Sequence, residues 1–143
     1  MPLESSDLSL AYLLLRATLG VNILIHGVAR LLSGPGRFTS TIVHEFQAAP
    51  LPHPLVLAFA WALPWAEALL GFFLLIGLFT RVALALGALL ILALTFGTCL
   101  LQNWSAAGDQ LIYAAVYAAL LAFINANRFS LDALIHPENA SAR

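Results

Sequence analysis

The sequence predicts an all-α integral membrane protein, a four-helix up-down-up-down bundle with a short interfacial helix after the first span. Three observations predict it. Hydrophobic residues make up 62% of the 143 and charged residues 9%, with a mean hydropathy of +0.93; a soluble domain has roughly 45–50% apolar and 25% charged residues. The apolar residues gather in four runs, about 8–32, 55–79, 82–101 and 110–126, whose lengths suit a hydrocarbon core roughly 30 Å thick. The connections are short, so consecutive spans are antiparallel neighbours in a single domain over 1–143, with no room for an attached soluble domain.

The first span, LSLAYLLLRATLGVNILIHGVARLL from Leu8 to Leu32, organises the rest. At about 100° per residue, Tyr12, Arg16, Asn22, His26 and Arg30 fall within an arc of roughly 120°. The remaining surface is Leu, Ile, Val and Ala. Charges facing hydrocarbon cost several kcal/mol, so the stripe turns inward and needs partners on other helices. The start, MPLESSDL, carries Glu4 and Asp7 and no basic residue, unlike a secretory signal, so the first span is expected to be retained.

Ser33-Gly34-Pro35-Gly36 stops that helix. In the mixed stretch from Arg37 to Pro54, Phe38, Ile42 and Phe46 recur every fourth residue, which suits a short amphipathic helix at the interface; an irregular loop is the alternative. The second span holds Trp61, Pro64, Trp65 and one charge, Glu67, roughly 18 Å from either end and so near the midplane. Small residues Ala60, Pro64 and Gly71 share its face, and Pro64 leaves the Ala60 carbonyl without its helical donor. The turn at Gly77 to Arg81 leads to the third span, polar only at Thr95 and Thr98; Gln102 to Asp109 reads as a connection. The fourth span is Ala-rich with Tyr113 and Tyr117, and the tail NRFSLDALIHPENASAR is polar and expected to end disordered.

Four spans place both termini on one side. Arg81, Arg128 and Arg143 there, against Arg30 and Arg37 opposite, favour cytoplasmic termini in a bacterial inner membrane. A formal charge of −1 with no lysine removes nucleic acid as a partner. Lone Cys99 can make neither an intrachain disulfide nor a thiolate metal site and reads as a small buried hydrophobe. His44, His53 and His136 lie apart at surface positions, and His26 has no second intramembrane histidine, so neither metal nor haem is predicted.

Depth arithmetic allows either Arg16 or His26 to reach Glu67. An Arg16–Glu67 ion pair that locks the first two spans is one outcome; proton uptake by Glu67 or His26 is the other. Thr95, Thr98 and Gln102 share one face of the third span, and Asp109, Tyr113 and Tyr117 one face of the fourth. With His26 and Arg30 they are expected to line a polar pocket that suits the head group of a quinone. For Tyr113 and Trp104, anchoring at head-group depth is an equal reading.

His26-Gly27 with Arg30, Glu67 with Gly71, Leu78-Phe79-Thr80-Arg81, and Arg128-Phe129-Ser130-Leu131-Asp132, in that order and spacing, resemble the DoxX family of small four-helix membrane proteins. The resemblance runs from about Leu8 to Ile135. It implies association with quinone-linked and thiol-stress redox systems, since relatives include a membrane subunit of a thiosulfate:quinone oxidoreductase. It also implies quinone contact or proton handling at His26, Arg30 and Glu67, and structural roles for Arg81 and Arg128. The chain has no thiol pair, so thiosulfate chemistry of its own is not implied.

The expected function is therefore a membrane subunit of a quinone-dependent oxidoreductase, with His26 and Glu67 handling protons and Arg30, Tyr113 and Gln102 holding quinone. The alternative is a non-catalytic scaffold or assembly subunit. Expected partners are lipid, other subunits and a second copy of the chain. A transporter is disfavoured because there is no internal repeat.

Overall fold

A computed structural model describes residues 5–135, which form helices and turns with no strand. The helices are α1 (Ser5–Leu32), α2 (Pro35–Glu45), α3 (His53–Ile76), α4 (Thr80–Leu100), α5 (Trp104–Ala122) and a short α6 (Leu131–Ile135), with a 3-10 turn at Ile124–Ala126. Four of them, α1, α3, α4 and α5, are long and apolar enough to cross a membrane. Their outer faces expose Leu14, Ile25, Leu69, Leu86, Leu92 and Ile112, as lipid contact requires.

Local chemistry moves the expected boundaries. α3 ends at Ile76 instead of Phe79 because Gly77 adopts a left-handed φ of 70°, and the amides of Gly77 and Leu78 both donate to the Phe73 carbonyl, at 2.9 and 3.1 Å. The connection is shorter than the run QNWSAAGD: Asn103 caps α5 by accepting the Ala106 amide at 3.2 Å, so that helix already begins at Trp104. The expected polar tail is structured through Ile135; Glu4, His136, Arg143 and the end expected to be disordered lie outside the described residues.

α1 and α3 form the tightest contact. A Cβ on Gly20 would stand 2.7 Å from the Leu75 nitrogen, one on Gly27 would collide with the Ala68 nitrogen, and one on Gly71 with the Leu24 nitrogen. Residue numbers rise on one helix as they fall on the other, so the two cross antiparallel, with backbones touching where side chains are missing. In hydrocarbon, where apolar burial drives little, such close approach supplies much of the association. α4 and α5 also meet at a glycine, but there a side chain and not backbone occupies the gap. The Tyr117 ring fills the space above Gly87, and Thr98 donates to Gln110 at 2.8 Å. Leu74, Leu84, Tyr117 and Leu120, all nearly inaccessible, join the helices in one core. α2 packs mainly against α3 and buries Thr39.

Candidate functional site

Glu67 is buried in α3, its side chain 5% exposed, and its Oε2 accepts a hydrogen bond from Arg30 Nη1 in an ion pair. Spacing allows either Arg16 or His26 to reach Glu67; the structure gives the contact to Arg30 instead. The reason is the direction of helical side chains. A Cα–Cβ bond tilts toward the helix N-terminus, so an arginine near the end of α1 reaches back along the helix to a deeper carboxylate. Gly27 makes the reach possible by bringing α1 onto Pro64 and Ala68, at the level of Glu67. The outer face of the same guanidinium lies 4.8 Å from the centroid of Phe38 on α2, a cation–π contact that holds Arg30 between α2 and α3.

His26 takes another direction. Its ring is exposed, and Nδ1 bonds the Asn22 carbonyl one turn earlier at 2.9 Å. A carbonyl can only accept, so Nδ1 carries the proton and Nε2 is left with a free lone pair in the neutral ring. Asn22 also works toward the core, where its Oδ1 accepts the Tyr113 hydroxyl of α5 at 3.2 Å. Asn22 thus connects His26 to Tyr113 by its backbone on one side and its side chain on the other. Along the outward side of α1, Thr18, Asn22 and His26 line an open groove with Leu14, Val21 and Ile25 as its apolar walls and a volume of about 520 Å³.

Arg16, 1% exposed, makes no ion pair among the described residues. Its Nη1 donates to the carbonyls of Leu74 and Leu75, the latter at 3.3 Å, and its Nη2 to Phe129 at 2.7 Å. The helix-terminal carbonyls of α3 lack amide donors of their own, and carry the negative end of the helix dipole. A buried arginine therefore finds compensation in backbone dipoles and ties α1 to both α3 and the segment before α6. Gly77 leaves the space: a Cβ there would stand 2.5 Å from Arg16 Nη1.

The rest of the expected pocket disperses. Gln102 is exposed in the turn after α4 at a φ of 55°, and among the described residues it makes no side-chain bond to His26 or Arg30. Thr95 returns its hydroxyl to Ile91 at 2.8 Å, Thr98 pairs with Gln110, and Asp109 is exposed. Of the five residues singled out, Arg30 and Glu67 pair directly, while Tyr113 and His26 meet through Asn22.

A second polar cluster went unforeseen. Asp132 accepts the amides of Phe79 and Thr80, each at 2.7 Å, so a carboxylate from the chain's last described helix caps the start of α4. Its own amide donates to Gly77 at 2.9 Å, and Asn127 donates to the Thr80 hydroxyl at 3.0 Å. Phe79, where α4 begins, has a φ of 49°, which costs a non-glycine residue roughly 1–2 kcal/mol; the Asp132 bond at its amide offsets that cost. A signal was present in the sequence, since LFTR lacks a local cap residue before its helix and an Asp lies in NRFSLDALI. Arg81 and Arg128 flank the cluster exposed; neither makes it.

Among the described residues no three His, Cys, Asp or Glu side chains come together as a metal site would require. No curated protein and no solved structure matches the chain. One family model does, over residues 11–104, which takes in the α1 stripe, the glycine-mediated contact with α3, and Glu67. With that match over most of its length, the chain belongs to the DoxX family.

Proposed function

We propose that this DoxX protein is a membrane subunit of a quinone-linked oxidoreductase system, and that the groove along α1 receives the quinone head group. The observation that carries the reading is the groove itself, where the free imidazole nitrogen of His26 stands beside Asn22 among the apolar side chains of α1, with Tyr113 holding the Asn22 side chain from behind. A quinone travels in the bilayer and needs hydrogen-bonding groups at its two oxygens and a dry wall for its ring. A quinol gives up two electrons and two protons. The electrons pass to a redox partner subunit, and Nε2 of His26 accepts a proton from the quinol hydroxyl. Glu67 is buried behind Arg30 and does not line the groove, so the second proton passes with the electrons to the partner subunit. Both termini are taken as cytoplasmic, in a bacterial inner membrane, from the arginine distribution.

The test is thermal unfolding of the purified protein in detergent with a short-chain benzoquinone. The wild type is expected to melt higher with the quinone and His26→Ala to show no shift. Equal melting of both, with and without quinone, refutes the proposal. A second reading, a scaffold or assembly subunit of a larger complex, is favoured by Arg16, which fixes three carbonyls and touches no groove. It predicts that Arg16→Leu abolishes assembly while His26→Ala changes nothing.

A further inference from the structure

Three of the residues that line the groove on α1 are polar: Thr18, Asn22 and His26. They follow one another at single helical turns, about 6 Å along the axis. His26 is the one lining residue that titrates, and Arg30, a turn further on, is paired with Glu67.

Hydrogen bonds fix where the protons of this groove sit. Nδ1 of His26 is held on the Asn22 carbonyl at 2.9 Å, and a carbonyl only accepts, so Nδ1 carries a hydrogen whether the ring is neutral or charged. Protonation therefore changes Nε2 alone, from a lone pair to an N–H. Asn22 is fixed in the opposite sense. Its Oδ1 is turned to α5, where it accepts the Tyr113 hydroxyl at 3.2 Å, and its Nδ2 keeps two hydrogens with no acceptor among the described residues. A donor on Asn22 and an acceptor on neutral His26 thus stand about one turn apart, a separation of the order of that between the two oxygens of a 1,4-quinone ring.

We infer, on the reading that a quinone head group enters this groove, that the groove reads the redox state of its ligand and takes the quinol in preference to the quinone. One ligand oxygen accepts from Nδ2 of Asn22. It does so in either form, because both forms carry lone pairs there. The other oxygen meets Nε2 of His26. A quinol hydroxyl donates to that lone pair, whereas a quinone carbonyl has no hydrogen to give and sets one lone pair against another. Quinone can meet the ring only after the ring has taken up a proton, and quinol brings that proton with it. Asn22 orients the ligand and His26 discriminates. The groove draws quinol from the membrane and lets quinone go, as a site that oxidises quinol requires.

The experiment is isothermal titration of the purified protein in detergent under argon, at about pH 8, where histidine rings are ordinarily neutral. The ligands are a short-chain 1,4-benzoquinone, its quinol, and the dimethyl ether of that quinol, which keeps the shape but has no hydroxyl hydrogen. The wild type is expected to bind the quinol about tenfold tighter than either of the others, the worth of one hydrogen bond. For a two-electron couple that preference raises the midpoint potential of the bound quinone by about 30 mV, a second readout. His26 is exposed, so its replacement leaves the packing in place. His26→Gln, whose amide can donate or accept, is expected to bind quinol and quinone equally, and Asn22→Leu to weaken both by the same factor. Binding of neither form by the wild type, or binding that His26→Ala leaves unchanged, refutes the quinone reading itself. Binding that needs His26 but takes quinone or the dimethyl ether as tightly as quinol overturns the redox preference alone, as does a preference that persists in His26→Gln.

Discussion

Breaking the Arg30–Glu67 pair from its two sides should not cost the same. Replacing Arg30 by Met leaves a carboxylate whose side chain is 5% exposed without its partner, and it also removes the cation–π contact with Phe38. Uncompensated buried charges cost about 3–5 kcal/mol, so Arg30→Met belongs in that range. Glu67→Gln leaves a guanidinium that is 29% exposed, still stacked on Phe38, and able to reach head groups near the end of α1. Its cost is about 1–2 kcal/mol. The double variant removes both charges and should destabilise by less than the sum, with a coupling of about 1–3 kcal/mol. The assay is unfolding of the four proteins in mixed micelles of increasing denaturing detergent, followed by helical circular dichroism. Single costs that are equal, and that add to within about 0.5 kcal/mol in the double variant, refute the view that one charge is sealed and the other is not.

Other substitutions test the frame around the pair. Gly71→Ala puts a methyl into the Leu24 backbone and should lower stability by about 1–3 kcal/mol in the same unfolding assay, whereas Gly108→Ala, with open space around the new methyl, should raise it by about 0.5–1 kcal/mol. Asp132→Ala leaves the first amides of α4 uncapped and should cost about 1–2 kcal/mol, read as a lower melting temperature. Arg16→Leu strands the carbonyls of Leu74, Leu75 and Phe129; the expected loss is about 3–5 kcal/mol, and Arg16→Lys should recover only part of it because an ammonium lacks the fork.

The four-helix architecture was legible because its signals are long: apolar runs separated by polar or glycine-containing turns, among them the Gly-Pro turn after Leu32. The polar stripe of α1 was legible only in part: the structure turns Arg16 and Arg30 inward but leaves His26 exposed, against the expectation that the whole stripe faces other helices. Its partners were not legible. Spacing gives the face a residue occupies but not the direction its side chain leans, so it allows Arg16 or His26 to reach Glu67 where the structure has Arg30. Nor does spacing reveal an arginine satisfied by carbonyls, since any helix end can supply them. The third and fourth spans misled for another reason. Thr95 bonds its own helix, at 2.8 Å to Ile91, and Thr98 bonds Gln110 at 2.8 Å, which removes both from a pocket without altering the pattern by which they were chosen. Asp132 acts across the fold on Phe79 and Thr80, a contact that local cap rules do not reach.

The central claim is that the Asn22–His26 groove on α1 meets a quinone head group. The measurement that bears on it most directly is photolabelling of the membrane-embedded wild-type protein with an azido-benzoquinone, followed by peptide mapping. Label is expected on the segment between Arg16 and Arg30, and it should be lost on competition with unmodified quinone. Label confined to other helices, or labelling of that segment that excess quinone leaves unchanged, contradicts the account.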